Sequence, residues 1–152
     1  MGGIERAAGE AATAGPSGHR LVDHAGDCVI EAWGPTAAAC ASEALGALVE
    51  SFAVPTEAPA TSTRLVSTGP GGPEAALVAL LEEVLYDLEV HGEVPVRVAL
   101  AEDEDGGMSG EMDLVPATAM RVVGPVPKAI SYHDLEMSRE DGGWRCHVLV
   151  DL

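Results

Sequence analysis

The chain has 152 residues, long enough for one domain with a real core. Apolar residues make up 47% of it and aromatics only 3%, which excludes a wholly disordered chain and leaves aliphatic side chains and alanine to fill the core. A net charge of −17, with a lone lysine and scattered arginines, argues against direct, tight nucleic-acid binding and suits either a basic protein partner or a cation, or simply a chain kept soluble by its charge.

Residues 1–17 are small, polar and Gly/Ala-rich and are predicted to form a disordered leader. They lack the basic start and apolar stretch of a secretory signal. No apolar run in the chain reaches the roughly 18 residues that span a bilayer. A cytoplasmic protein is the simplest expectation, with residues 18–152 as a single domain.

"HRLVDHAGDCVIEAWG" holds two short β patterns around the turn formers of residues 23–27. In the second, Asp27, Val29, Glu31 and Trp33 share one face, and Cys28, Ile30 and Ala32 the other. Thr36 is placed to cap a helix in which Ala41, Leu45, Leu48, Val49 and Phe52 recur at helical spacing. "AVPTEAPATS" is predicted to be a loop and "TSTRLVST" a strand. The strongest helix follows, opened by Pro73, striped by Leu77, Leu80, Leu81, Val84, Leu85 and Leu88, and stopped by Gly92. "VPVRVALAE" and "MSGEMDLV" predict two strands joined by "EDEDGG", a solvated hairpin tip whose spacing does not fit an EF-hand. "PATAMRVVGPVP" has no clear period. The chain closes on a hairpin, "AISYHDLEMSR" and "WRCHVLVDL", with Asp141-Gly142 as the turn signal. The order predicts an α+β fold, two helices packed on a mostly antiparallel or mixed β-sheet. "GPGG" lacks the Lys and Ser/Thr of a P-loop.

Cys28, Cys40 and Cys146 are far apart in sequence and contain no CxxC pair, so buried free thiols are expected. The histidines His19, His24, His91, His133 and His147 form no HExxH-like pair.

Four blocks resemble the archease family in the right order, over roughly residues 19–152. "DHAGDCVIEAWG" resembles its opening Glu/Asp-His-Thr-Ala-Asp and apolar strand. "LLEEVLY" resembles its second helix, with Glu83 at a recurrent Glu. "PKAISYHDLEM" resembles the Lys-Ala-x-Thr-Tyr-His-x-Leu block, and "DGGWRCHVLVDL" the closing hairpin, which ends on Asp and an aliphatic residue. Ala25-Gly26 replaces the usual Thr-Ala, Ser131 replaces Thr, and residues 115–127 are shorter than the family's loop.

The resemblance implies a non-enzymatic accessory protein. Its partner would be an RtcB-type RNA ligase, which uses GTP to join 2′,3′-cyclic phosphate or 3′-phosphate ends to 5′-hydroxyl ends in tRNA splicing or RNA repair. The accessory protein would promote guanylylation of the ligase and repeated turnover, with GTP used by the ligase. The resemblance also implies a divalent-cation site at Asp27, Asp151 and the terminal carboxylate of Leu152. It places His24, Lys128, Tyr132 and His133 in matched blocks, around the metal ligands or against the partner.

The residue chemistry agrees. Carboxylate oxygens are hard ligands suited to Ca²⁺, Mg²⁺ or Mn²⁺. Two like charges about 4 Å apart repel by roughly 4 kcal/mol at an effective dielectric near 20, and a dication removes that penalty. In a plainer alternative, Asp151 and Leu152 fray into water and Asp27 caps a turn. Two other functions fit the sequence: a small metal-dependent hydrolase, and a ligase-independent binding or chaperone-like module.

Overall fold

A computed structural model describes residues 16–24, 26–54 and 57–152. Nearly all of the expected leader lies outside the described residues. Strands β1 (Gly18–His24) and β2 (Asp27–Gly34) form the opening hairpin. Helix α1 (Ala37–Glu50) follows, capped as expected by Thr36, whose Oγ1 accepts from the Ala39 N–H at 3.1 Å. Glu102 adds a carboxylate at the same end, accepting from the Ala38 N–H at 3.2 Å.

The expected loop after α1 is interrupted by a two-residue strand, β3 (Ala53–Val54). Strand β4 (Ser62–Ser67) leads to helix α2 (Gly72–Tyr86) with Pro73 in its first turn. The helix continues as a π-helical turn over Asp87–His91 and stops at Gly92, which takes a left-handed φ of 65°. Strands β5 (Glu93–Glu102) and β6 (Met108–Pro116) form the second hairpin. The segment without a clear period holds a 3₁₀ turn (Ala117–Ala119) and the short strand β7 (Arg121–Val122). Strands β8 (Ala129–Glu140) and β9 (Gly143–Asp151) close the chain. Their turn uses positive φ at Asp141 (48°) and Gly142 (78°), the geometry that matches the twist of the flanking strands.

The strands pair antiparallel in three sheets: β1-β2-β9-β8, β4-β6-β5 and the small β3-β7 pair. The fold is thus the expected α+β, with the strands divided rather than gathered in one sheet. Helix α1 lies against β1, β2 and β9 of the four-stranded sheet and against β5 of the three-stranded one, and α2 packs on α1 and β8. The core comes from the inner faces of both sheets and both helices, including Ile30, Leu45, Leu48, Leu77, Leu81, Met112 and Val148. Each such side chain contributes about 1.5–3 kcal/mol by leaving water.

The face of α1 against the sheet is mostly alanine: Ala37, Ala41 and Ala44 are all buried. Small side chains let a helix backbone sit close to its neighbours. Gly34 continues this closeness, since a Cβ there would meet Ala39 Cβ and the Cys40 backbone nitrogen at 2.9 Å. Among the described residues, no helix is long and apolar enough to cross a membrane.

Candidate functional site

The β2 alternation fixes which side chains face outward. Cys28, Ile30 and Ala32 are buried, and Asp27, Val29, Glu31 and Trp33 are half-buried on the opposite face. Strand β9 pairs with β2 in unbroken register, placing Asp27 directly opposite Asp151, Val29 opposite Leu149 and Glu31 opposite His147. Val148 and Val150 are buried, so Asp151 falls on the outer face with Asp27. Leu152 is half-buried and packs against the core, so its side chain ties down the end of β9.

Residues from the two ends of the described fold therefore meet in one row across the sheet: His24, Asp27, Asp151 and Ala129. Lys128 borders this row, and its N–H donates to the Asp151 carbonyl at 2.8 Å. Directly opposite residues on antiparallel strands hold their Cβ atoms about 4.5–5.5 Å apart, and like charges there are destabilising. Among the described side chains, neither Asp27 nor Asp151 makes an ion pair. Oxygen donors of this kind suit a hard divalent cation. Among the described residues, no three His, Cys, Asp or Glu side chains are grouped to hold a metal, so the aspartate pair needs a further donor of another kind.

Tyr132 and His133 lie elsewhere. Strand β8 pairs with β9 at Ala129–Ser131 and again at Glu136–Glu140, but Ser131 faces Leu149 while Glu136 faces His147. The extra β8 residues bulge outward with Asp134 at φ 67°. Tyr132 is 57% exposed, and His133 and Asp134 are exposed too. The His147 ring supports the bulge by donating from Nδ1 to the Asp134 carbonyl at 3.2 Å. A groove of about 530 Å³ is lined by Leu85, Leu88, Glu89, Val126, Pro127 and Lys128.

Two polar clusters escaped the sequence analysis. Asp87 is fully buried, and its Oδ1 meets Arg64 Nη2 at 3.1 Å and His91 Nδ1 at 3.2 Å. An acid between Leu85 and Leu88, where the apolar stripe of α2 runs on into the π-helical turn, was the available signal. His19 on β1 bridges Glu43 at 2.7 Å and Glu50 at 3.0 Å on α1. The hydrogen bond to Glu43 outweighs the opposing effect of burial, and with the Glu50 contact it raises the imidazole pKa to about 9.

Known proteins share this architecture. The chain matches the Archease protein family (MTH1598/TM1083) over residues 19–152. It is 43% identical over 136 residues to the probable protein archease of Mycobacterium tuberculosis, in both the CDC 1551/Oshkosh and H37Rv strains, covering 90% of this chain and 75% of each relative. The solution structure of Methanobacterium thermoautotrophicum protein 1598 superposes with a TM-score of 0.71 at 22% identity, covering 89% of this chain and 99% of that one. The crystal structure of an archease from Thermotoga maritima, described as a possible chaperone, superposes with a TM-score of 0.61 at 18% identity, covering 88% and 96%. By family match, by relatives and by fold, this chain belongs to the archease family.

Proposed function

We propose that this protein is a non-catalytic accessory factor that promotes GTP-dependent guanylylation of an RtcB-type RNA ligase, and that it carries a divalent cation at the Asp27–Asp151 row. Family membership and the description of the Thermotoga maritima relative as a possible chaperone support an accessory role. The observation that carries the cation site is the register of β2 and β9, which aligns Asp27 with Asp151. Asp27, Asp151 and the terminal carboxylate of Leu152 would hold the ion, Ca²⁺, Mg²⁺ or Mn²⁺ by donor chemistry. A bound dication would offset the repulsion between the carboxylates. His24 and Lys128 border the ligands, and the exposed Tyr132-His133 bulge is suited to touching the partner. GTP would be used by the ligase.

The test is a guanylylation assay of a purified RtcB-type ligase with and without this protein, with a divalent cation present. Wild type is expected to raise the guanylylated fraction, and Asp27→Asn and Asp151→Asn to reduce that gain. No gain with wild type would end the ligase reading. Equal gains from all three proteins would end the cation reading alone. The second reading, a ligase-independent chaperone-like module, rests on the Thermotoga maritima description. Suppressed aggregation of an unfolding client, with no effect on the ligase, would select it.

A further inference from the structure

Cys40 and Cys146 lie 106 positions apart in sequence, yet they meet in the core. Cys40, on the alanine face of α1, is 0% exposed, and Cys146, on the inner face of β9, is 4% exposed. Both thiols lie at Ala32. The Cys40 S–H donates to the Ala32 oxygen at 3.5 Å. Ala32 is the cross-strand partner of Cys146, and both are buried on the inner face of the sheet. The Cys40 sulfur thus sits at the residue paired with Cys146, beneath a helix that packs on β9. This closeness follows from the packing, since the buried alanines and Gly34 let α1 sit low on the sheet.

The third thiol is separate. Cys28 faces Val150, whereas Cys146 faces Ala32, four positions further along β2. At about 3.3 Å per residue, that puts roughly 13 Å of strand between Cys28 and the pair. Its own sulfur contact is to the Val29 carbonyl at 3.9 Å.

We propose that Cys40 and Cys146 form a redox-sensitive dithiol, which a hydroperoxide converts to an intramolecular disulfide joining α1 to β9. The Cys146 thiolate attacks one oxygen of hydrogen peroxide and the O–O bond breaks. Cys146 becomes a sulfenic acid and hydroxide leaves, taking up a proton to become water. The Cys40 sulfur then attacks the Cys146 sulfur, the S–O bond breaks, and the Cys40 proton leaves with the oxygen as a second water. Two thiols and one peroxide thus give one disulfide and two waters. The neighbouring Cys40 thiol holds the Cys146 thiol below its ordinary value, which suits it to the first step, and Cys146 in turn pushes Cys40 far above. Burial excludes larger thiols and disulfides and leaves a small peroxide as the oxidant that fits. The bond would fasten the stretch of β9 that leads to Asp151.

The test is peroxide treatment of the folded full chain, followed by denaturation, alkylation and peptide mass mapping. The expected product links the Cys40 and Cys146 peptides with the loss of two hydrogens, leaves Cys28 alkylatable, and reverts with dithiothreitol. Cys28→Ala should form the same link. Cys40→Ala should form none and should accumulate a sulfenic acid at Cys146 that a dimedone probe traps. If Cys40→Ala does not fold, the map of wild type decides alone. The proposal is overturned if both thiols stay alkylatable, if Cys146 proceeds to sulfinic acid with Cys40 free, or if the link forms only in unfolded protein.

Discussion

Two acidic regions of the molecule are built on opposite terms. Asp87 is buried, and the chain supplies its partners: the Arg64 guanidinium from β4 and the His91 ring from the same π-helical turn. Asp27 and Asp151 stand on an outer sheet face, aligned by register, with no ion pair among the described side chains. A buried charge must be neutralised by the fold itself, because an unpaired one costs several kcal/mol. The outer-face pair, with Asp151 exposed and Asp27 half-buried, is reached by water that screens it, so the fold tolerates it without a partner. The first region should therefore govern folding, and the second the binding of something from outside.

The largest expected effect comes from breaking the buried side of this contrast. Arg64→Met strands Asp87 and should lower stability by about 3 kcal/mol in urea unfolding. The double variant Arg64→Met/Asp87→Leu should recover most of that loss. Equal losses in the single and double variants would mean that packing, not charge, holds the turn.

The exposed side should respond with the opposite sign. Asp27→Asn and Asp151→Asn remove a cross-strand repulsion, so metal-free stability should stay level or rise by about 0.2–1 kcal/mol. Calorimetric titration should show cation affinity falling on the order of tenfold for each. A C-terminal extension after Leu152 should weaken binding in the same way without touching a side chain.

His19 lies between these extremes, half-buried and held by two glutamates. Its folded pKa is raised from 6.5 to about 9, so the bridge contributes fully below pH 6.5 and its contribution fades as pH rises to about 9. Glu50 is 54% exposed, and solvent screening limits the effect to about 1 kcal/mol. Thermal unfolding between those pH values should show this loss in wild type and not in His19→Gln. The smallest effect is expected at the bulge, where Asp134→Gly relieves a left-handed φ of 67° and should change stability by about 0.5 kcal/mol or less.

The parts legible in the sequence were those with a local period or a local cap. The alternation from Asp27 to Trp33 is a property of consecutive residues, as are the Thr36 cap and the Asp141-Gly142 turn. The pairing of Ala53 with Val122 was illegible because two residues carry no period and the partner lies far along the chain. The bulge at Tyr132–Leu135 was hidden for a related reason: it exists only relative to the β9 register. At the candidate site, family resemblance pointed to Asp27 and Asp151, and register put them opposite each other. Neither period nor motif announced that Arg64 would turn inward to meet Asp87.

The tryptophans give this division an optical consequence. Trp33 and Trp144 are the only two in the chain, and both lie in the four-stranded sheet, on adjacent strands. Arg145 lies over the Trp33 ring at 5.2 Å and Arg139 over Trp144 at 5.7 Å. Indole emission thus reports on the sheet that ends in the aspartate row, while the β4-β6-β5 sheet is dark in that channel. Fluorescence set beside amide exchange can time the melting of one sheet against the other, without a label.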